Sequence, residues 1–435
     1  MESHDDNPAF HGPDRPPPAL IDKCVHCGFC LPTCPTWQNW QEEMDSPRGR
    51  IDLFRALEDG RVPMTPVVAE HFDRCLGCMA CLTACPSGVR YDHVIEAARA
   101  RVERDHRRPL LERLHRALVF ALFPYPARLR ATAVLLWLWR VTGLRWIVRT
   151  LGLLRPFPRL AALEALAPPL SLREIRTQLP PLTPAAGERR LRAGLLGGCV
   201  QRVFFPNVNA ATLRVLAAEG IEVVVPEGQG CCGALSLHAG REEEARRMAR
   251  ELVERFEREQ LDVVVVNAAG CGSHLKDLGH LFAADASFLP RARAFASRVR
   301  DVSELLAALP ARAPRGALRA RVAYHSPCHL GHAQGIQDPP RALLRSIPGV
   351  EIVEVPDGDQ CCGSAGVYNL VEPESATEVG RRKAGNVLAT KATLLASANP
   401  GCSLQIRRML GEAGADLEAA HPIEILDRSI APGER

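Results

Sequence analysis

The fold follows from two related stretches, "IEVVVPEGQGCCG" at 221–233 and "VEIVEVPDGDQCCG" at 350–363. Each begins with a run rich in valine and isoleucine, continues through proline and glycine, and ends in two adjacent cysteines and a glycine. A short β-branched run bounded by proline and glycine is typical of a buried strand followed by a turn. Each stretch therefore predicts a strand that ends at a loop carrying a cysteine pair.

The sequence around each pair repeats as well. An apolar run precedes a single cysteine in both copies, "LRAGLLGGC" ending at Cys199 and "LRARVAYHSPC" ending at Cys328. A third run leads to a closing cysteine, "LDVVVVNAAGC" at Cys271 and "LLASANPGC" at Cys402, with helical patterns such as "NAATLRVLAAEG" between the runs. Alternating strands and helices predict two tandem α/β domains with parallel sheets, at 191–310 and 318–435. The cysteines then lie at strand ends, where such folds place their sites.

The chain has 435 residues, sixteen cysteines and a net charge of +4, and this length predicts several domains. Residues 1–19 are acidic and proline-rich, so we predict a flexible N-terminus without the apolar core of a signal peptide. No stretch reaches the roughly 18 uninterrupted apolar residues of a membrane span. We therefore expect a cytoplasmic protein, in which thiols stay reduced, and interpret the cysteines as metal ligands rather than disulfide partners.

The first eight cysteines form two runs with one spacing, "CVHCGFCLPTCP" at 24–35 and "CLGCMACLTACP" at 75–86. The pattern C-x2-C-x2-C-x3-C-P is that of bacterial two-cluster ferredoxins, in which the fourth cysteine ligates the other cluster. Structural zinc sites more typically show CxxC pairs with a longer spacer. Residues 20–95 are therefore predicted to form an α-helical, bacterial-ferredoxin-like domain with two [4Fe–4S] clusters. The predicted ligands are Cys24, Cys27, Cys30 and Cys85 for the first cluster, and Cys75, Cys78, Cys81 and Cys34 for the second.

Three basic side chains lie close to these runs. His26 is inside the first loop, where we interpret it as a neighbour of the cluster, because imidazole ligation would break the full cysteine set. Arg48 and Arg50 belong to "DSPRGRIDLFRALEDG", in which proline and glycine indicate a turn and residues 51–57 a short helix. The two arginines either neutralise the charge of thiolate-bound clusters or form ordinary surface ion pairs. The sequence leaves both interpretations open.

Residues 96–190 are free of cysteine and rich in arginine and leucine, which predicts a helical linker. Nine arginines and no acidic residue lie between 113 and 163, together with Trp137, Trp139 and Trp146. A basic amphipathic helix with tryptophan can lie in a membrane interface or bind an acidic partner. It can equally pack its apolar face on the cluster domain. All three interpretations stay open at this stage.

The chain lacks the familiar motifs of catalysis. "GLLGGC" at 194–199 has the wrong spacing for a dinucleotide fingerprint, and Walker A, GxSxG and HExxH motifs are absent. We therefore predict no catalytic residue in this chain. His325, His329 and His332 surround Cys328 and are weaker metal-ligand candidates than the cysteines. The sequence shows no helix-turn-helix signature, and we expect no nucleic-acid partner.

The whole arrangement closely resembles the iron–sulfur subunits of bacterial glycolate oxidase. The resemblance rests on "CVHCGFC", "SPRGRI", "DRCLGC", "CPSGVRYDHVIEAAR", "AAGCGSHLK" and "CCGSAGVY". It implies FAD-binding flavoprotein partners that oxidise glycolate to glyoxylate, with FAD held only by those partners. It also implies that this chain passes electrons towards a quinone or other membrane acceptor, at the inner face of the plasma membrane. The alternatives are the matching subunit of a lactate or anaerobic glycerol-3-phosphate dehydrogenase, and a sensor of iron or redox state.

The resemblance also concerns the two units that contain the sequence CCG. In related heterodisulfide reductases such a unit holds a non-cubane cluster through an early cysteine, the pair and a closing CxxC. Here the last cysteine is missing from both copies, since His274 and Gln405 occupy its positions. Each unit therefore keeps four thiols for a further cluster or another metal, or has buried thiols in a degenerate site. These candidate ligands are Cys199, Cys231, Cys232 and Cys271 in the first unit, and Cys328, Cys361, Cys362 and Cys402 in the second.

Overall fold

The structure is a computed structural model, and it describes residues 18–430. A helical N-terminal part carries both ferredoxin-type runs, a helical linker follows, and two α/β domains with largely parallel sheets complete the chain. The predicted fold class is confirmed. The predicted flexible N-terminus lies outside the described residues except for its last two positions.

The N-terminal part packs short helices around the cysteine loops. Its core includes Phe54, Phe72 and Ile95. The helix predicted over 51–57 begins earlier, because Pro47 occupies its first turn and the Ser46 hydroxyl accepts the N–H of Gly49. The helices here are α1 (Pro18–Ile21), α2 (Pro35–Trp40), α3 (Pro47–Glu58), α4 (Pro66–Asp73), α5 (Ala80–Ala84) and α6 (Tyr91–Asp105), with a 3₁₀ turn at Glu43–Asp45.

The linker consists of α7 (Leu110–Leu122), α8 (Pro126–Val141), α9 (Leu144–Thr150), α10 (Pro158–Leu166) and α11 (Leu172–Arg176). Its buried side chains pack mainly on the α/β domains: Phe120 lies against Leu370, and Leu129 against Phe204. Within residues 18–430 no single helix is long and apolar enough to cross a membrane. The pair α7 and α8, bent by 105°, meets that criterion only when taken together, by length and composition.

The first α/β domain has a five-stranded sheet with the order β1-β3-β2-β4-β5. β1 joins antiparallel and all other pairs are parallel. Its strands are β1 (Leu182–Thr183), β2 (Leu191–Leu195), β3 (Ile221–Val224), β4 (Val263–Val266) and β5 (Val299–Asp301). Its helices are α12 (Gln201–Phe204), α13 (Pro206–Ala218), α14 (Ala234–Leu237), α15 (Glu242–Glu257), α16 (Ala269–Lys276), α17 (Leu278–Leu281), α18 (Leu289–Arg298) and α19 (Val302–Ala307).

The second α/β domain repeats that arrangement with the parallel order β7-β6-β8-β9. The order matches β3-β2-β4-β5, which confirms the duplication read from the sequence. Its strands are β6 (Ala320–His325), β7 (Val350–Glu354), β8 (Leu394–Ser397) and β9 (Ala419–Ala420). Its helices are α20 (Asp338–Arg345), α21 (Tyr368–Val371), α22 (Pro373–Ala389), α23 (Pro400–Glu412) and α24 (Pro422–Ser429), with a π-helical turn at His329–Ala333.

The two α/β domains share one hydrophobic core. Val215 and Leu216 of the first domain belong to the same buried cluster as Val322, Leu344 and Leu426 of the second. In each domain three parallel strands end near cysteines, and because their carboxyl ends meet at one edge of the sheet, the cysteines of that domain converge there.

Candidate metal centres

The first ferredoxin-type run forms a small pocket with the end of the second run. Cys24, Cys27 and Cys30 line it together with Cys81 and Cys85. The chain makes the tight loop through Gly28, whose φ of +86° favours glycine. Burial raises the pKa of Cys30 to about 11, so a neutral thiol is favoured there unless a cation or metal binds it.

The second run lies deeper and includes the last cysteine of the first run. Cys34, Cys75 and Cys81 are buried. Burial raises the pKa of Cys81 well above its ordinary value, and the nearby charges of Cys78, Cys75 and Cys34 add to the effect. The structure therefore places Cys34 beside the second run and Cys85 beside the first. Crossed ligation needs this placement, and the two ligand sets remain a prediction.

Of the basic side chains near the ferredoxin-type runs, Arg50 is buried. It is 1 % exposed and bonds to both the backbone carbonyl and the carboxylate of Asp45. Burial alone would raise the pKa of Cys75, but the charges of Arg50 and Arg99 outweigh it and hold that pKa below its ordinary value. Arg50 is therefore a buried cation beside the second cysteine set and not a surface ion pair.

Arg48 and His26 are on the outside of the first loop. Arg48 pairs with Glu43 at 2.6 Å and donates to the carbonyl oxygen of His26 at 3.2 Å. The Nε2 atom of His26 lies 3.2 Å from a carboxylate oxygen of Asp52. Arg48 thus forms the partly exposed ion pair, and the His26 ring is paired with a carboxylate.

The two CCG units face one cavity of about 470 Å³. Its wall contains all eight candidate cysteines, namely Cys199, Cys231, Cys232, Cys271, Cys328, Cys361, Cys362 and Cys402. The Sγ atoms of Cys199 and Cys231 are 3.5 Å apart. The sequence did not predict that the cysteines of both units would line the same cavity.

The linker supplies the other part of the cavity wall. Leu122, Leu136 and Trp139 line it, and the indole N–H of Trp139 has no hydrogen-bond partner there among the described residues. Leu118 and Leu160 belong to the same wall and are 44 % and 43 % exposed. The cavity therefore reaches the surface of the linker.

The second CCG site contains two further buried polar side chains. His325, at the end of β6, is 0 % exposed, and the side-chain nitrogen and sulfur atoms of His325, Cys362 and Cys402 lie within 4.8 Å of one another. Burial lowers the pKa of His325 well below its ordinary value, and the charge of Lys383 acts in the same direction. Lys383 is itself 2 % exposed and lies near Cys361 and Cys362.

The residues at the two missing cysteine positions are already bonded. His274 Nε2 is 3.0 Å from the carbonyl oxygen of Cys232. The amide of Gln405 donates to the carbonyl oxygen of Ala376 and accepts from Asn369, both at 3.0 Å. Both positions are therefore occupied by side chains that already make hydrogen bonds.

The ferredoxin-type part is in contact with the second CCG site. Cys78 packs with Cys328 and Cys361 in one buried cluster that also contains Tyr368. The Tyr368 hydroxyl donates to the carbonyl oxygen of Arg74 at 3.0 Å, which ties the two parts together. Of the two CCG sites, the second is therefore the one that the second cysteine set contacts.

Iron–sulfur clusters fit the cysteines of this chain. All sixteen lie within the described residues and are free thiols. The backbone N–H groups of Gly77, Gly233 and Gly363 point at cysteine sulfurs at 3.4 to 3.5 Å, the kind of contact that tunes a cluster. Grouped cysteine thiols are the donor set that such clusters require, and most of those here are at least partly buried.

Family models match in the same order along the chain. A model described as "4Fe-4S dicluster domain" matches residues 20–89, and one described as "Glycolate oxidase iron-sulfur subunit, linker region" matches 111–167. A model described as "Cysteine-rich domain" matches twice, at 194–276 and 322–407. A "Probable glycolate oxidase iron-sulfur subunit" of Bacillus subtilis is 37 % identical over 93 % of this chain and 92 % of its own length. The chain belongs to the glycolate oxidase iron–sulfur subunit family.

Other relatives agree with this family. The "Glycolate oxidase iron-sulfur subunit" of Escherichia coli is 34 % identical over 95 % of both chains. A "Lactate utilization protein A" of Oceanobacillus iheyensis is 29 % identical over 54 % of this chain and 97 % of its own length. The lactate alternative fits less well, because that relative lacks a counterpart for almost half of this chain.

Three features of the candidate metal centres were not predicted from the sequence. The sequence left three interpretations of the linker open, and none of them included its part in the cavity wall. Arg99, which donates to the carbonyl oxygen of Cys75, carried no recognisable signal. The proximity of His325 to Cys362 and Cys402 was not predicted either, although its position three residues before Cys328, at the end of a strand, was an available signal.

Proposed function

We propose that this chain is the electron-transfer subunit of an FAD-dependent glycolate dehydrogenase and contributes no catalytic residue to glycolate oxidation. The observation that carries the proposal is the continuous series of cysteine sets. It runs from the exposed Cys27, through the buried second run, to the CCG cavity. Such a series suits a relay of single electrons over a long distance.

In this proposal each cysteine set has a defined task. Cys24, Cys27, Cys30 and Cys85 hold one [4Fe–4S] cluster, and Cys75, Cys78, Cys81 and Cys34 hold the other. A [4Fe–4S] cluster, when bound, accepts and releases one electron at a time. Arg50 and Arg99 lower the pKa of Cys75 and so favour its thiolate form, which is the form that binds metal.

Electrons enter, we propose, at the first run. Val25 and Phe29 flank its cysteines and are 68 % and 64 % exposed. Exposed apolar side chains next to a redox site are typical of a docking surface. A flavoprotein that docks here can pass electrons from its reduced FAD to the first cysteine set.

Electrons leave, in this proposal, in the CCG cavity to a quinone-type acceptor. Its linker side, lined by Leu122, Leu136 and Trp139, suits a small apolar ring molecule beside the cysteines. Trp139, Gln201 and Ser364 line it with buried polar atoms that lack partners among the described residues, and such groups can bond to quinone oxygens. The flavin's two electrons, together with two protons from water, convert the quinone to a quinol.

The linker surface supports contact with the inner face of the plasma membrane. Leu111, Trp146 and Leu151 are 81 %, 71 % and 65 % exposed, and arginine dominates the surrounding sequence. Apolar side chains with tryptophan and basic residues are what binds a helix into the interface of an anionic membrane. The cavity wall belongs to the same linker, so an apolar acceptor would reach it from the lipid.

The test is to purify the complex anaerobically with and without this chain. We expect the flavoprotein alone to reduce an artificial dye with glycolate. Reduction of decyl-ubiquinone should require this chain and be lost in Cys78→Ser. The matched control is Arg381→Ala, a residue that is 69 % exposed.

Two results would contradict the proposal. One is quinone reduction that does not need this chain. The other is a complex that oxidises lactate or glycerol 3-phosphate far faster than glycolate, which would favour the second candidate function.

A further inference from the structure

We propose that His325 is an iron ligand in the second CCG site, so that the two CCG centres differ chemically. The proposal rests on the proposed role of this site as an iron–sulfur centre. It does not depend on glycolate as the substrate or on quinone as the acceptor.

The first observation is the environment of the imidazole. His325 is 0 % exposed, and neither Nδ1 nor Nε2 has a hydrogen-bond partner within residues 18–430. A buried polar group without a partner destabilises the folded state, and nearly all such groups in proteins are paired. A ring with both nitrogens unpaired therefore indicates a partner that protein atoms do not supply.

The second observation is the distance to the cysteines. The nitrogen of His325 and the Sγ atoms of Cys362 and Cys402 are within 4.8 Å of one another, yet no hydrogen bond joins the ring to either sulfur. Metal–nitrogen and metal–sulfur bonds are about 2.0 to 2.3 Å long. Donors held by one metal ion, or by neighbouring irons of a cluster, have this kind of separation.

The third observation comes from the first CCG site, which serves as an internal comparison. Leu196 occupies the position three residues before Cys199 that His325 occupies before Cys328. Leu196 is buried among apolar side chains and offers no donor. Among the described residues, a histidine nitrogen and two cysteine sulfurs come within 4.8 Å of one another at the second site, and no such group occurs at the first.

With His325 as a ligand, the reduction potential of the second CCG centre should be higher. A neutral imidazole in place of the missing fifth thiolate makes a cluster less negative than five thiolates would, and histidine ligation raises the potential of an iron–sulfur centre. Lys383 adds a buried positive charge near Cys361 and Cys362. The second CCG centre, which is also the one in contact with Cys78, should therefore accept electrons more readily than it would with thiolates alone.

The test uses the full chain, purified anaerobically from cells grown with ¹⁵N-histidine. Pulsed EPR of the oxidised and reduced protein should show one strongly coupled histidine nitrogen, absent in His325→Ala. We expect His325→Ala to lose about four irons per chain, the content of one cluster. His325→Cys should retain the iron at a lower midpoint potential. His332→Gln, a partly exposed neighbour bonded to Thr83, is the control and should match the wild type.

The outcomes separate the alternatives. Iron content and spectra of His325→Ala that equal those of the wild type would overturn the proposal, as would zinc in place of iron. Iron lost from both variants, with no histidine coupling in the wild type, would overturn it too, because His325 would then act only through packing. Unchanged signals of the two ferredoxin-type clusters show in every case that the variant is folded, and these signals test the proposed relay separately.

Discussion

At the scale of single residues, Arg50 contributes both to the stability of the fold and to the positive charge beside the second cysteine set. Its guanidinium is buried against Asp45 and close to Cys75 and Cys34. Arg50→Ala leaves the buried carboxylate with its remaining partners only, and we expect a loss of about 3 kcal/mol of stability together with the iron of the second cluster. Anaerobic thermal unfolding and iron content measure both effects. Arg48→Ala, which removes a partly exposed pair, should cost about 1 kcal/mol or less; equal losses would contradict this reading.

The buried His421 side chain should make the stability of the folded protein depend on pH. Its Nδ1 accepts the N–H of Ile423 and so caps α24, and burial lowers its pKa to about 3, while the unfolded value is about 6.5. Because the unfolded chain binds the proton first, stability is full above pH 6.5 and falls as the pH drops towards 3. At pH 5 the loss from this group is about 2 kcal/mol. His421→Asn, which keeps a capping group, should flatten that part of the unfolding profile, and an unchanged profile in this variant would contradict the prediction.

At the scale of elements, α8 joins the linker to the first α/β domain. Leu129 is 1 % exposed and packs against Val203 and Phe204. Leu129→Ala should destabilise the protein by about 2 to 5 kcal/mol, speed proteolysis of the linker, and make the CCG iron bleach faster in air. Leu135, on the same helix and 65 % exposed, provides the control, since Leu135→Ala should change each measurement little. If both variants behave alike, α8 does not close the cavity.

Some features of these elements could be predicted from the sequence, and others could not. Strands, the duplication and the cysteine runs have local signals, so they could be predicted. The packing of the linker is set by tertiary contacts, and so is the pairing of its arginines. Arg145 and Arg149 both pair with Glu164, the residue directly after the acid-free stretch 113–163. The cavity could not be predicted, because its wall combines residues from three separate parts of the chain.

At the scale of the whole molecule, the proposed membrane face can be tested directly. Trp146 is 71 % exposed on the linker, so we expect Trp146→Ser to reduce co-sedimentation with phosphatidylglycerol vesicles several-fold. Raising the salt concentration should reduce it as well, because screening weakens the attraction of arginines to anionic lipid. Val67→Ser, a change at an exposed residue of the N-terminal part, is the control. Binding that responds to neither Trp146→Ser nor salt would contradict membrane contact through the linker.

The shared core of the two α/β domains makes them a fused pseudo-dimer. In a true homodimer every substitution appears in both subunits, so paired sites are forced to stay identical. Joining the halves in one chain removes that constraint while the common core keeps them together. With that constraint removed, the two matching positions carry different residues, Leu196 in the first half and His325 in the second. Covalent fusion thus allows one fold to present two unlike sites to a single chamber.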